Sequence, residues 1–365
     1  MKSALDPEFG RVVIVHDYLT QVGGAERVLL SMMKAFPHAT LLTSFYDAES
    51  TYADFRRKRI KTFRANRSAF LRGNIRLTQP LLTSVFSGTR IRGADLVICS
   101  SSGFSHLVRS DAPKMVYSFT PPRWLYEPSD YFQDLGLGAR VLSAPFRRLQ
   151  LLLDQRRART AQVYLTSSHV VRRRIEKAYG IRASICPPPV TINALRDASR
   201  PAGVPDKFFL TVARARGYKN TDVLAAAFAS LSGHTLVVVG GFDSAARNVV
   251  CLGRVSDSEL RWLYERCTAI ISASLEDFGL TPLEANVFGR PSLVLRAGGF
   301  LDTVVEGVTG SFFESPTAEA VANAVVSFDD QFAPDVIRAH AHKFSEDAFI
   351  SDLRGAARET VNQQS

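Results

Sequence analysis

The sequence predicts an α/β protein built from two doubly wound, Rossmann-like domains. Three observations carry that prediction. Short apolar strands alternate with helical patterns along the chain, a proline-rich polar break interrupts the alternation once, and the same pattern then restarts. The 365 residues suffice for two domains of ordinary size. With 46% apolar and 22% charged residues, each half can build its own core.

The first nine residues, MKSALDPEF, read as an expression scar and are set outside the fold prediction. An N-terminal domain is expected over residues 10–190, with strands at 11–15, 40–44, 95–99, 115–117 and 163–166. The break "CPPPVTINALRDASRPAGVPD" follows and is read as a linker over residues 191–205. A C-terminal domain is expected over residues 206–344, with strands at 208–213, 235–239, 249–252, 269–272 and 292–295. The final stretch, residues 345–365, holds Phe349, Leu353 and Ala357 at helical spacing and is expected to cross back to the N-terminal domain. Open parallel sheets bind ligands outside the carboxyl ends of their strands, so a cleft is expected between the two carboxyl edges.

Composition narrows the function classes. The opening apolar run, residues 12–15, is too short for a signal peptide or a membrane span. Cys99, Cys186, Cys251 and Cys267 show neither C-x-x-C nor Cys/His metal spacing, and they read as reduced core residues of a cytoplasmic protein. Charge is uneven. Residues 1–200 hold 31 Lys/Arg against 15 Asp/Glu, a balance of +16, whereas residues 201–365 hold 14 against 20, a balance of −6. A basic half suggests an anionic partner. Nucleic acid is not expected, because no recognisable binding module accompanies the charge.

The stretch "SLEDFGLTPLEANVFGRP" places Glu276 and Glu284 eight positions apart around a Phe-Gly turn. One reading is purely structural. Thr281 would be a helix N-cap, Pro282 the first helical residue and Glu284 the third member of a capping box, with Gly289 and Pro291 as stop signals. The other reading is a phosphate site, and three further loops support it. In "HDYLTQVGGAERV", Gly23 and Gly24 precede a helix, where backbone N–H groups can meet an anion. In "VARARGYKN", Arg214 and Lys219 supply two cations after a strand, and "RAGGF" adds Gly298 and Gly299. Together these describe a diphosphate held by cations and helix starts.

The segment "EDFGLTPLEANVFGRPSLVLRAGGFLDTVVEGVTGSFF" resembles the donor site of retaining glycosyltransferases of family 4, bacterial mannosyltransferase-like members above all. "FFLTVARARGYKNTDVLAAAF" and "HDYLTQVGGAERV" are similar to two other loops of that family, and the likeness runs over nearly the whole chain after residue 9. The resemblance implies the GT-B fold, two doubly wound domains facing each other across a cleft. It implies transfer of a hexose, mannose favoured, from a nucleotide sugar such as GDP-mannose to a lipid-linked or small soluble acceptor, with retention of configuration.

By position, the resemblance gives Glu276 the sugar hydroxyls, Glu284 the ribose, and Arg214 and Lys219 the diphosphate. It places Phe278, Gly279, Leu280 and Thr281 at the phosphates, Gly23 and Gly24 opposite them, and the nucleobase near Arg254 and Val255. The chain has no D-x-D motif, so no metal and no cofactor are expected beyond the nucleotide-sugar co-substrate. His16, Phe119 and Arg123 are candidate acceptor or sugar contacts. Phe119 departs from the family, which usually carries histidine there, and Ala213 stands where glycine is common. Because of the Phe119 change, a non-catalytic sugar-nucleotide-binding protein is the rival reading.

Two basic stretches are left over. Residues 56–76 interleave nine Lys/Arg with Phe63, Phe70 and Leu71. Residues 142–159 set Leu142, Phe146, Leu149 and Leu153 on one helical face flanked by arginines. Such a face either packs on a core or lies on an anionic membrane, so the expected location is cytoplasmic, peripheral at the inner membrane face.

Overall fold

The computed structural model describes residues 5–73, 78–127, 137–213 and 219–363. The chain divides into two compact units, Met1–Pro188 with Phe349–Ser365, and Pro189–Ala348.

In the first unit the strands are β1 (Val12–His16), β2 (Thr40–Thr43), β3 (Ile60–Thr62), β4 (Arg90–Ile91), β5 (Leu96–Ser101), β6 (Arg109–Ser110), β7 (Lys114–Ser118), β8 (Val163–Thr166) and β9 (Ser184–Ile185). Seven of them form one parallel sheet in the order β3-β2-β1-β5-β7-β8-β9, while β4 and β6 pair separately. Along β5 the side chains alternate: Leu96 and Ile98 enter one core cluster, Val97 and Cys99 the other. Both faces of the central strands are therefore covered, which is why they read as continuous apolar runs. One face is covered by helix Gly24–Ala35 and by the C-terminal helix Glu346–Asn362, whose Phe349, Leu353, Ala356 and Ala357 are buried there.

Residues 6–9 correct the sequence reading. Phe9 is buried, its ring centroid 5.6 Å from that of Phe36. Arg354, from the C-terminal helix, pairs with Asp6 at 3.1 Å and Glu8 at 2.6 Å while its guanidinium lies 4.9 Å over the Phe9 ring. Burial of Asp6 opposes its charge, but the Arg354 hydrogen bond and the N–H groups of Glu8 and Phe9 outweigh it and lower the carboxyl pKa. The sequence reading set these residues outside the fold because their partners lie at the far end of the chain.

The second unit has β10 (Phe209–Val212), β11 (Leu236–Val239), β12 (Val249–Gly253), β13 (Ala269–Ser272), β14 (Ser292–Leu295) and β15 (Gly310–Phe313), parallel in the order β12-β11-β10-β13-β14-β15. Much of the proline-rich segment packs onto this unit. Val204 is buried, the Arg200 guanidinium sits 5.2 Å over the Trp262 ring, and Arg261 Nε donates to the Asp197 carbonyl at 2.9 Å. Cys99, Cys186 and Cys267 are free and buried, and burial pushes each thiol up to about 12.

Truncating Phe9 to alanine should cost the first unit about 3 kcal/mol, since a buried aromatic ring is lost. Urea unfolding of the full chain reads this directly. An unchanged transition would show that residues 6–9 contribute nothing.

Candidate functional site

β10 and β13 are neighbours in the second sheet, with Phe209 opposite Ala269 and Leu210 opposite Ile270. The loops that leave their carboxyl ends therefore emerge side by side, and Lys219 meets Glu276 across 57 residues of sequence. Lys219 Nζ forms an ion pair with Glu276 Oε1, and both side chains are about one-fifth exposed, at 17% and 21%. Ser274 Oγ donates to the same oxygen at 2.7 Å. Asn220, in a left-handed conformation (φ 49°), donates from Nδ2 to the Ala273 carbonyl at 2.8 Å and ties the two loops together. Arg214 lies outside the described residues.

The Glu276 loop is held from behind by the glycine pair of "RAGGF". Gly299 N–H donates to the Glu276 carbonyl at 2.8 Å. A Cβ on Gly299 would overlap the Phe278 backbone, and one on Gly298 would press on the Glu276 carbonyl. The pair thus serves close backbone packing. Phe278 is buried, its ring 6.0 Å from Phe344.

The capping-box reading of this stretch is corrected. The helix runs Leu280–Asn286, and its N-cap is Gly279 at φ +90° with no side-chain cap bond. A Cβ on Gly279 would also lie 2.6 Å from the Phe300 ring, so glycine is required twice over. Thr281 and Pro282 are inside the first turn, which tolerates proline. Glu284 sits too far along the helix to cap it; its Oε2 accepts the Tyr264 hydroxyl at 2.6 Å. Tyr264 is fully buried on helix Asp257–Arg266, its ring 6.1 Å from Phe288 and nearly parallel to it. Sequence reasoning missed Tyr264, because a tyrosine at helical spacing reads as core. Ser256 and Glu259 form a true capping box one residue after Val255, so the exposed Arg254 and half-buried Val255 lie on the short connection from β12 into that helix.

In the first unit, Gly23 is the N-cap of helix Gly24–Ala35, and its carbonyl accepts from Arg27 N–H at 3.1 Å. His16 ends β1 opposite Ser100, is 2% exposed, and places Nδ1 3.0 Å from Ser100 Oγ. Its neighbour Asp17, which the sequence reading passed over, is buried and accepts N–H groups from Ser102 (2.7 Å), Phe104 (3.1 Å) and Ser105 (2.6 Å). Phe119 packs half-buried against the Tyr117 ring at 5.2 Å, and Arg123 opens the short helix Arg123–Tyr126. Ser101, His106 and Asp154 line up like a nucleophile, base and orienting acid, at 2.9 and 2.8 Å. All three are at most 2% exposed, so no substrate reaches them.

The carboxylates and lysine at this strand edge lie inside residues 196–331, which match the model of the family described as "Glycosyl transferases group 1". Those residues, a little over a third of the chain, are similar to a glycosyl transferases group 1 domain. Parts of the chain are similar to curated proteins. The chain is 30% identical over 152 residues to the alpha-1,3/1,6-mannosyltransferase ALG2 of Dictyostelium discoideum, covering 32% of this chain and 36% of that protein. It is 33% identical over 93 residues to the lipopolysaccharide core biosynthesis mannosyltransferase LpcC of Rhizobium leguminosarum bv. viciae, covering 25% of each. The chain thus spans about a third or less of these curated relatives. The structure of Anabaena Alr3699/HepE, in complex with UDP-glucose, is similar over 94% of this chain and 98% of that one, with TM-score 0.67 and 15% identity. The fold is GT-B.

Gly299→Ala should displace the group 1 domain's Glu276 loop and destabilise that domain by roughly 2 kcal/mol, as overpacking against backbone does. Thermal melting measures it, and a neutral substitution would mean the loop is not held by this contact.

Proposed function

We propose that the chain is a retaining glycosyltransferase of family 4 that moves a hexose, mannose favoured, from a nucleoside-diphosphate sugar to a lipid-linked or small soluble acceptor. One observation carries the reading: Lys219 pairs with Glu276 where the loops after β10 and β13 emerge, within the residues that match the group 1 model, and the helix that follows carries Glu284. Mannose is favoured because two relatives are named as mannosyltransferases. A nucleotide-sugar donor is supported by the UDP-glucose named with the Anabaena structure.

The chemistry asks for positioning and charge. As the sugar–phosphate bond breaks, an oxocarbenium-like centre and an anionic diphosphate form. Lys219 and Arg214 neutralise that diphosphate, so the reading takes no metal. The N–H groups of Gly279, Leu280 and Thr281 add hydrogen bonds. Glu276 takes the sugar hydroxyls, which requires Lys219 to share its ammonium between that carboxylate and the phosphate. Glu284 holds the ribose, and Tyr264 fixes one of its oxygens. A nucleotide base lies against Arg254 and Val255. The location this supports is a peripheral one at the inner membrane face.

A second reading, a sugar-nucleotide-binding protein without activity, draws on Phe119. Its ring packs on Tyr117 and can neither donate a hydrogen bond nor accept a proton.

The deciding experiment screens UDP, GDP, TDP and ADP by thermal shift, because ligands that bind only the folded state raise its melting temperature. Transfer from the matching sugar nucleotide is then assayed with and without EDTA. Activity should survive chelation, and Lys219→Ala should lower turnover by about 3 kcal/mol, or more than a hundredfold. Loss on chelation with recovery on magnesium would overturn the metal-free mechanism, and binding without turnover would favour the second reading. Glu276→Ala should abolish turnover with the fold intact. Tyr264→Phe should weaken nucleotide binding by about tenfold, since a hydrogen bond to a charged group contributes ~1.5–3 kcal/mol. Unchanged affinity would remove Glu284 from the ribose role.

A further inference from the structure

The Glu276 carboxylate is filled by protein on one side only. β13 ends at Ser272, and from there two serines run in series towards the carboxylate. Ser272 Oγ lies 2.7 Å from Ser274 Oγ, and Ser274 Oγ lies 2.7 Å from Glu276 Oε1. The chemistry fixes the direction of both bonds. A carboxylate in an ion pair can only accept, so the single Ser274 hydroxyl proton goes to Glu276, and Ser272 must donate to Ser274. Ser272 Oγ in turn accepts the Ser274 N–H at 3.4 Å. Lys219 adds its ammonium to the same carboxylate oxygen, Oε1. Among the described residues Oε2 has no hydrogen-bond partner, so it is the oxygen left for a ligand.

We propose that Ser274, backed by Ser272, is a positioning residue of the donor site. It holds Glu276 Oε1 so that Oε2 alone meets the transferred sugar, and it keeps the carboxylate there when the diphosphate draws Lys219 away. The inference rests on the glycosyltransferase reading of this site and deepens it.

In that reading Lys219 serves two anions. Once a phosphate competes for the ammonium, the ion pair no longer fixes Glu276, which sits on a loop without regular structure. Ser274 stays where it is. It is 1% exposed, its hydroxyl and its N–H are both engaged with Ser272 at the strand end, and the carbonyl before it, that of Ala273, is held by Asn220 Nδ2. Ser274 is also neutral, so the diphosphate neither attracts nor repels it as a whole charge. A hydroxyl is the group this task needs, with one donor for the carboxylate and lone pairs for Ser272. Because Oε1 carries two donors, the sugar is gripped through one oxygen, and its angle to the breaking bond depends on how firmly the other oxygen is held.

The test measures kcat, sugar-nucleotide affinity and nucleoside-diphosphate affinity for the full chain and its variants, using the base that thermal shift selects. Ser274→Ala should lower kcat about tenfold or more, because ~1 Å of misplacement can cost about a hundredfold. Affinity for the nucleoside diphosphate, which has no sugar for Glu276 to meet, should stay within about twofold. Ser272→Ala should lower kcat in the same direction by less. Added to Ser274→Ala it should cost no more than about twofold further, since it acts through Ser274. With Glu276→Ala already present, Ser274→Ala should leave sugar-nucleotide affinity unchanged. The proposal is overturned if Ser274→Ala keeps full turnover, if its nucleoside-diphosphate affinity falls along with kcat, or if the losses from the two serines multiply. Thermal melting checks that each variant is folded; should Ser274→Ala unfold, the kcat loss of Ser272→Ala at unchanged nucleoside-diphosphate affinity decides. A native chain that binds no nucleoside diphosphate would sink the glycosyltransferase reading and this inference with it. Native transfer with an indifferent Ser274 would sink this inference alone.

Discussion

The loop that carries Glu276 and Phe278 has no regular structure of its own, and it is held by the backbone of Gly298 and Gly299. Peptide groups pack there with no space for a side chain, and the Gly299 N–H bonds the Glu276 carbonyl. The loop and the turn after it rest on this contact. It sets where Glu276 points and where Gly279 turns. The turn at Gly279 then starts the helix that presents Glu284. Gly279 itself has the Phe300 ring behind it, so the same short segment, residues 298–300, buttresses both ends of the turn.

Sheet order supplies the second constraint. Because β10 lies beside β13, Lys219 and Glu276 meet in a setting with little water. Two ions there are tolerable only because each compensates the other, and Ser274 adds a hydrogen bond to the carboxylate. Glu284 is held by an uncharged partner instead, a buried tyrosine hydroxyl that donates to one of its oxygens.

The first unit owes its unusual exterior to its interior. Asp17 is satisfied by three backbone N–H groups, and Asp154 by a histidine and a tyrosine. Lys114, whose pKa burial lowers, donates to the His106 and Val108 carbonyls and to Thr160 Oγ1. Buried polar groups demand partners. Helix Leu137–Ala158 supplies Asp154 to this network, and that fixes its rotation. With its polar residues inward, Leu149 and Leu152 are turned to the outside.

The sequence by itself determined the two α/β units and ten of the principal strands, because a strand covered on both faces is apolar throughout and helices between strands have their own period. It also singled out Lys219, Glu276 and Glu284, since glycines, cations and carboxylates at strand ends form a local pattern. The edge and minor strands β3, β4, β6, β9 and β15 escaped because they are short, charged or glycine-led, and only pairing with a neighbour makes them strands. The tertiary structure alone decided that residues 6–9 belong to the core and that Thr281 is no cap. It alone showed that Gly298 and Gly299 serve packing and that Tyr264 holds Glu284. It also decided which face of helix Leu137–Ala158 is wet. Each of these turns on a partner distant in sequence, and local periodicity carries no information about a hydrogen bond to a residue tens or hundreds of positions away.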